Sequence, residues 1–164
     1  MSAKSNGGWT PLHGASYVGY MEYGLTPLHG ASNGGHMGDG LTLLHSLSYG
    51  GHVDLVQFLV EHGVDISAKV EGGFTPQHLA SFRGYMDVVR FLVGHGADVS
   101  AKDEWMWTSL HRALSRGQAD LARFLIEQGA DLSAETVHGY TPLDLASCNG
   151  HGDLERFLVQ LGAD

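Results

Sequence analysis

The chain has 164 residues and a mass of 17.6 kDa, with 43% apolar and 16% charged residues, which suits one ordinary domain or a short repeat array and excludes disorder throughout. Nine Lys and Arg against eighteen Asp and Glu leave a net charge of -9, which repels a phosphate backbone and an anionic membrane surface and makes nucleic acid and membranes poor partners. The 24 glycines, about twice the usual share, follow no Gly-X-Y period and point to regularly spaced turns.

In chain order, the first elements are two copies of one string. Thr10-Pro11-Leu12-His13-Gly14-Ala15 returns as Thr26-Pro27-Leu28-His29-Gly30-Ala31, 16 residues later. Altered copies then begin at Thr42, Thr75, Thr108 and Thr141, the last three spaced by 33 residues. Nine residues after each threonine lies a glycine: Gly19, Gly35, Gly51, Gly84, Gly117 and Gly150. Each full copy reads as two short helices. Threonine is a good N-cap and proline suits the first helical position, so Thr75-Pro76 and Thr141-Pro142 open a first helix that Gly84 and Gly150 end. The second helix carries Asp54, Asp87, Asp120 or Asp153 in its first turn, where a carboxylate complements the helix dipole. Its apolar face is Leu55, Val56, Phe58 and Leu59, echoed by Val88, Val89, Phe91 and Leu92. Phe58, Phe91, Phe124 and Phe157 are expected in the core, and Gly63, Gly96, Gly129 and Gly162 close these helices. Such helices fall below the ~12 to 15 residues that stand alone, so each must be ordered by its neighbours, in a solenoid.

The two 16-residue units lack a second helix, so residues 1 to about 36 are expected to pack irregularly, with 37–164 forming a four-copy array. The chain starts and stops at the same phase of the repeat. Glu155 and Asp144 give the last copy a more polar outer face, a weak sign of a terminal cap, and a fragment of a longer array is equally compatible with the pattern.

The Thr-Pro-Leu-His-X-Ala string, the Gly-His that follows it, and the closing Gly96-Ala97-Asp98, Gly129-Ala130-Asp131 and Gly162-Ala163-Asp164 together resemble the ankyrin repeat family over nearly the whole chain. The resemblance implies an all-α repeat protein, a helix-turn-helix solenoid with short β-hairpin-like loops. It also implies that His13, His29, His45, His78 and His111 bond backbone between neighbouring hairpins. Several positions depart from the family pattern: Leu43 and Ser109 replace proline, Gln77 replaces leucine, Met106 replaces the hairpin glycine, and Asp144 replaces histidine. Local looseness is expected around Met106 and Gln77.

No catalytic or metal constellation emerges. His29/His36 and His45/His52 are seven apart and lack cysteine or carboxylate companions, which misses zinc spacing. His62, His95 and His138 read as solvated loop residues. Gly30-Ala31-Ser32-Asn33-Gly34 matches the nucleophile elbow formally, but Ser32 shares its repeat phase with Ser16, Ser48, Ser81 and Ser147, which lack the motif. The stretch from Gly34 to Gly40 lacks the Lys-Ser/Thr of a P-loop. The acidic residues scatter by repeat phase and do not converge. Cys148 has no partner for an internal disulfide, and the opening residues lack the apolar stretch of a secretory signal, so an intracellular location, cytoplasmic or nuclear, is expected. No apolar run approaches the ~20 residues of a membrane span.

The expectation is therefore a non-catalytic protein-binding module with no cofactor, no metal and no small-molecule substrate. Ankyrin proteins usually bind with hairpin tips and the exposed side of the first helices. The slot before each threonine holds Trp9, Leu25, Leu41, Phe74, Trp107 and Tyr140, all apolar or aromatic. Trp105 adds a ring nearby, with Glu71, Glu104 and His138 as polar companions. The variable slot late in the first helix contributes Tyr49, Phe82, Arg83 and Arg116, and aromatic and Arg side chains dominate interface hot spots. The alternatives are a spacer between other domains and, remotely, a serine or metal-dependent hydrolase.

Overall fold

A computed structural model of the chain describes residues 42–163. The expectations for residues 1–36, for Trp9, Leu25 and Leu41, and for the elbow at Ser32 lie outside the described residues.

Eight α-helices occur among the described residues: α1 (Leu43–Gly50), α2 (Val53–Glu61), α3 (Pro76–Arg83), α4 (Met86–Gly94), α5 (Ser109–Ser115), α6 (Ala119–Glu127), α7 (Pro142–Cys148) and α8 (Gly152–Gln160). Each odd-numbered helix starts on its threonine. The hydroxyls of Thr42, Thr75, Thr108 and Thr141 accept from the backbone N–H three residues on, at 3.3 to 3.4 Å. Gly51 and Gly84 end α1 and α3 in the left-handed region, at φ 75° and 81°, which glycine adopts without steric cost. The even-numbered helices place Asp54, Asp87, Asp120 and Asp153 in their first turns as expected.

The odd helices stack directly on one another, α1 on α3 on α5 on α7, whereas among the even helices only α2 and α4 meet closely. The array is therefore wedge-shaped in each step, with the odd helices on the inside of the curve. The core lies between the two layers, where Leu44, Leu47, Ala80, Leu110 and Leu114 from the inner helices meet Val56, Val88, Leu92, Leu125 and Leu158 from the outer ones. This layering bears out the core expectation for Phe91 and Phe124, which pack against the core from its outer edge, and corrects it for Phe58 and Phe157. Phe58 is 47% exposed, and Phe91, Phe124 and Phe157 are half-buried on the outer layer. Arg90 lies 5.2 Å from the Phe124 ring centre and Arg123 3.9 Å from that of Phe157, so an arginine of one repeat covers the ring of the next. His62 and His95 are exposed but not merely solvated. Their Nδ1–H groups donate to the Phe58 and Phe91 carbonyls at 2.7 and 2.8 Å, which caps α2 and α4.

The hairpins between repeats close through backbone bonds, Val70 N–H to the Phe74 carbonyl, Asp103 to Trp107 and Thr136 to Tyr140, each 3.0 Å. Neighbouring tips are joined by Glu104 N–H to the Gly72 carbonyl and Val137 N–H to the Trp105 carbonyl, both 3.0 Å, the same link displaced by 33 residues. Buried histidines fix this register. In His78, Nδ1 accepts from the Thr75 N–H at 3.1 Å, so the proton sits on Nε2, which donates to the Ala101 and Trp107 carbonyls at 3.0 and 3.1 Å. His111 repeats the arrangement with the Ala134 carbonyl, and His45 reaches the Phe74 carbonyl. Asp144, in the same slot, keeps the cap by accepting from the Thr141 N–H at 2.8 Å but offers no donor to a further hairpin.

Burial holds the pKa of all three histidines below the ordinary 6.5, against the opposing pull of the carbonyls they donate to. A lowered folded-state pKa means that the unfolded chain binds protons first. Their contribution is therefore present above about pH 6.5 and is lost as the pH falls below it. The urea midpoint is expected to fall between pH 7.5 and 5.5. A midpoint unchanged or rising over that interval would contradict the neutral, carbonyl-bound histidines.

Candidate functional site

The hairpin tips and the inner helices form one continuous face. At the tips, Phe74 and Trp105 lie with ring centres 5.6 Å apart, and Trp105 and Tyr140 are each 45% exposed. Glu71, Glu104 and His138 are exposed beside them. On the helices, Tyr49, Phe82 and Arg83 are half-buried and Arg116 is exposed. Arg83 stacks 5.0 Å from the Tyr49 ring centre, and Arg116 lies 4.2 Å from that of Phe82. Burial pushes the Tyr49 phenol up, and the nearby charge of Arg116 opposes that shift. Of the expected site residues, those from Tyr49 to Arg116 are thus gathered on adjoining repeats, while His138 and Tyr140 belong to the last tip.

The sequence reading missed Asp103 and Arg112, which organise this face. Asp103 is buried, and its Oδ1 accepts from the backbone N–H of both Trp105 and Trp107 at 2.9 Å, while Oδ2 is ion-paired with Arg112. The Arg112 guanidinium lies 5.2 Å from the Phe74 ring centre and 4.6 Å from that of Trp107. One carboxylate therefore sets the tip that presents two tryptophans and steers the arginine between two rings. The expected looseness at Met106 is corrected accordingly. Met106 holds φ 62° in the slot where Gly73 and Gly139 hold 73° and 77°, a conformation that is unfavourable for a side chain. The three bonds to Asp103 keep the tip closed regardless. The available signal was an aspartate two residues before a tip, which commonly bonds the following backbone.

Tyr49, Phe74, His78, Leu79, Phe82 and Arg112 line an open pocket of about 160 Å³ on this face. A second cleft, about 460 Å³, runs between the loops that carry Ser67, Lys69, Asp98 and Lys102. Gln77 lines it at 2% exposure, with both amide atoms lacking a partner among the described residues, so this departure is buried in place of loose. The Lys69 ammonium donates to the Lys102 carbonyl at 3.1 Å.

Among the described residues no three His, Cys, Asp or Glu side chains converge to hold a metal ion, and no helix is long and apolar enough to cross a membrane. Cys148 is exposed at the end of α7.

The model of the family described as ankyrin repeats (3 copies) matches residues 21–103 and again 101–164. No curated protein matches the chain. Ankyrin repeats are in general protein–protein interaction modules. With threonine-capped inner helices, histidines joined to the next hairpin, and a family match that spans most of its length, the chain belongs to the ankyrin repeat family.

Proposed function

We propose that the chain is a non-catalytic binding module, acting inside the cell, that takes a partner protein on its hairpin tips and the exposed side of its inner helices. The array at 37–164 is the binding unit in this reading, and residues 1–36 are two truncated copies joined to it. The contact residues are Phe74, Phe82, Arg83, Trp105, Trp107, Arg116 and Tyr140, with Tyr49, Glu71, Glu104 and His138 at the margin. Trp9 and Leu41 occupy equivalent slots in the sequence.

The observation that carries this reading is the clustering of half-exposed rings and stacked guanidinium groups on one face. Trp, Tyr and Arg combine large area with a directional polar end, and they dominate the energetics of protein interfaces. The net charge of -9 supports a protein partner over nucleic acid or an anionic membrane.

The test is affinity capture with the full chain against a Trp105→Ala/Tyr140→Ala variant whose helical circular dichroism is unchanged. Each truncated hot-spot ring costs about 2 kcal/mol, so a specific partner is expected to be retained at least tenfold less by the variant. Equal retention by both chains would favour a spacer that merely orients other domains.

A further inference from the structure

The hairpin tip around Trp105 joins an exposed indole to two carboxylates. The ring lies against Phe74, with centres 5.6 Å apart, and 45% of the residue stays exposed beyond that contact. It also crosses Gly72, where a side-chain carbon would come within 2.6 Å of Phe74 and 3.1 Å of Trp105, so glycine leaves the room this seat needs. Asp103 holds the Trp105 N–H at 2.9 Å. Glu71 and Glu104 are exposed, and the Glu104 N–H donates to the Gly72 carbonyl at 3.0 Å, which puts the two tips that carry them in direct backbone contact. Neither carboxylate is ion-paired among the described residues, and Arg112 is taken up by Asp103. Arginines of the chain stack on Phe74, Trp107 and Phe82, but among the described residues no cation of the chain stacks on Trp105.

We infer that this tip recognises a lysine or arginine side chain on a basic segment of the partner protein, its cation over the Trp105 ring and its charge paired with Glu71 and Glu104. The inference rests on the proposed protein-binding role and specifies the chemistry of the partner. Charge complementarity selects the occupant. The net charge of -9 draws a basic segment towards the chain, and the two unpaired carboxylates give that general attraction a fixed position. The ring adds what carboxylates alone lack. Tryptophan is the best aromatic acceptor for a cation, and the attraction grows as the pair is desolvated in an interface. Lysine and arginine also lay their apolar stems along hydrophobic surface while the head stays near water, so one side chain can cover the indole and reach both carboxylates.

The test is selection of a random dodecapeptide library, displayed on phage, against the full chain. Enriched peptides are expected to carry Lys or Arg. As synthetic fluorescent peptides they should bind about tenfold more weakly to Glu71→Gln/Glu104→Gln and to Trp105→Ala, with circular dichroism confirming that both variants are folded. Asp87→Asn/Asp120→Asn removes the same charge from exposed positions on the outer helices. At physiological salt, which screens distant surface charges, it should leave the affinity unchanged within about twofold. Equal losses from the two charge variants would reduce the effect to general attraction by an acidic protein and overturn the inference, as would enriched peptides without Lys or Arg. Peptides that lose binding with Leu79→Ala/Phe82→Ala but not with the tip variants would overturn it too, and would leave the face a protein-binding site. If no peptide responds to any of these variants, both the inference and the proposed role of this face fall.

Discussion

Asp103→Ala is expected to destabilise the array by about 3 to 5 kcal/mol, because it leaves a largely desolvated guanidinium without its counter-charge. The Asp103 side chain is wholly buried and that of Arg112 is only 17% exposed, so solvent cannot replace the lost partner. Two backbone N–H groups, of Trp105 and Trp107, lose their acceptor at the same time. The damage should be local first, since repeats are ordered mainly by their neighbours. Urea unfolding followed by tryptophan fluorescence is expected to show an early loss of the tip signal before the helical signal falls. Adding Arg112→Met should recover part of the loss by removing the stranded charge, but the two backbone groups stay unpaired. An Asp103→Ala chain that unfolds at the wild-type midpoint would show that the tip does not depend on this carboxylate.

Gln77→Leu is expected to act in the opposite direction. The corresponding positions in the neighbouring repeats, Leu44 and Leu110, are fully buried, whereas Gln77 carries an amide into the same layer with no partner for either end among the described residues. A buried, unpaired polar group costs about 1 to 3 kcal/mol, and leucine removes that cost while preserving most of the volume. The urea midpoint should rise by the equivalent of about 1 to 3 kcal/mol. A midpoint that is unchanged or lower would mean that the amide is satisfied from the cleft beside the Lys69 and Lys102 loops, and that this departure from leucine stabilises the repeat.

Much of the architecture was legible because its cause is local and recurs. Thr75-Pro76 specifies a helix start wherever it stands, Gly84 specifies a left-handed end, and the 33-residue phase repeats both signals in register. The exposure of Phe58 was not legible. Phe58 lies on the same apolar stripe as Val56 and Leu59, and only the stacking of repeats decides that the valine and leucine are buried while the ring stays 47% exposed. The aromatic and arginine members of the candidate face could be read from their slots. Asp103 and Arg112 could not, because their partnership depends on a tip folding back over the helix that follows it. Met106 illustrates the same limit: its backbone conformation reads as a weakness in the sequence, but its N–H donates to the Asp103 carbonyl and the Asp103 carboxylate holds the N–H groups on either side of it. The unpaired state of Gln77 likewise follows from what surrounds it and not from its own identity.

The central claim is that the face built by the inner helices and hairpin tips is where a partner protein sits. The most direct test is hydrogen exchange of the full chain, free and saturated with a partner recovered by affinity capture. The account predicts added protection in 74–83 and 103–116, with the outer helices at 86–94 and 119–127 nearly unchanged. Protection confined to those outer helices would contradict it.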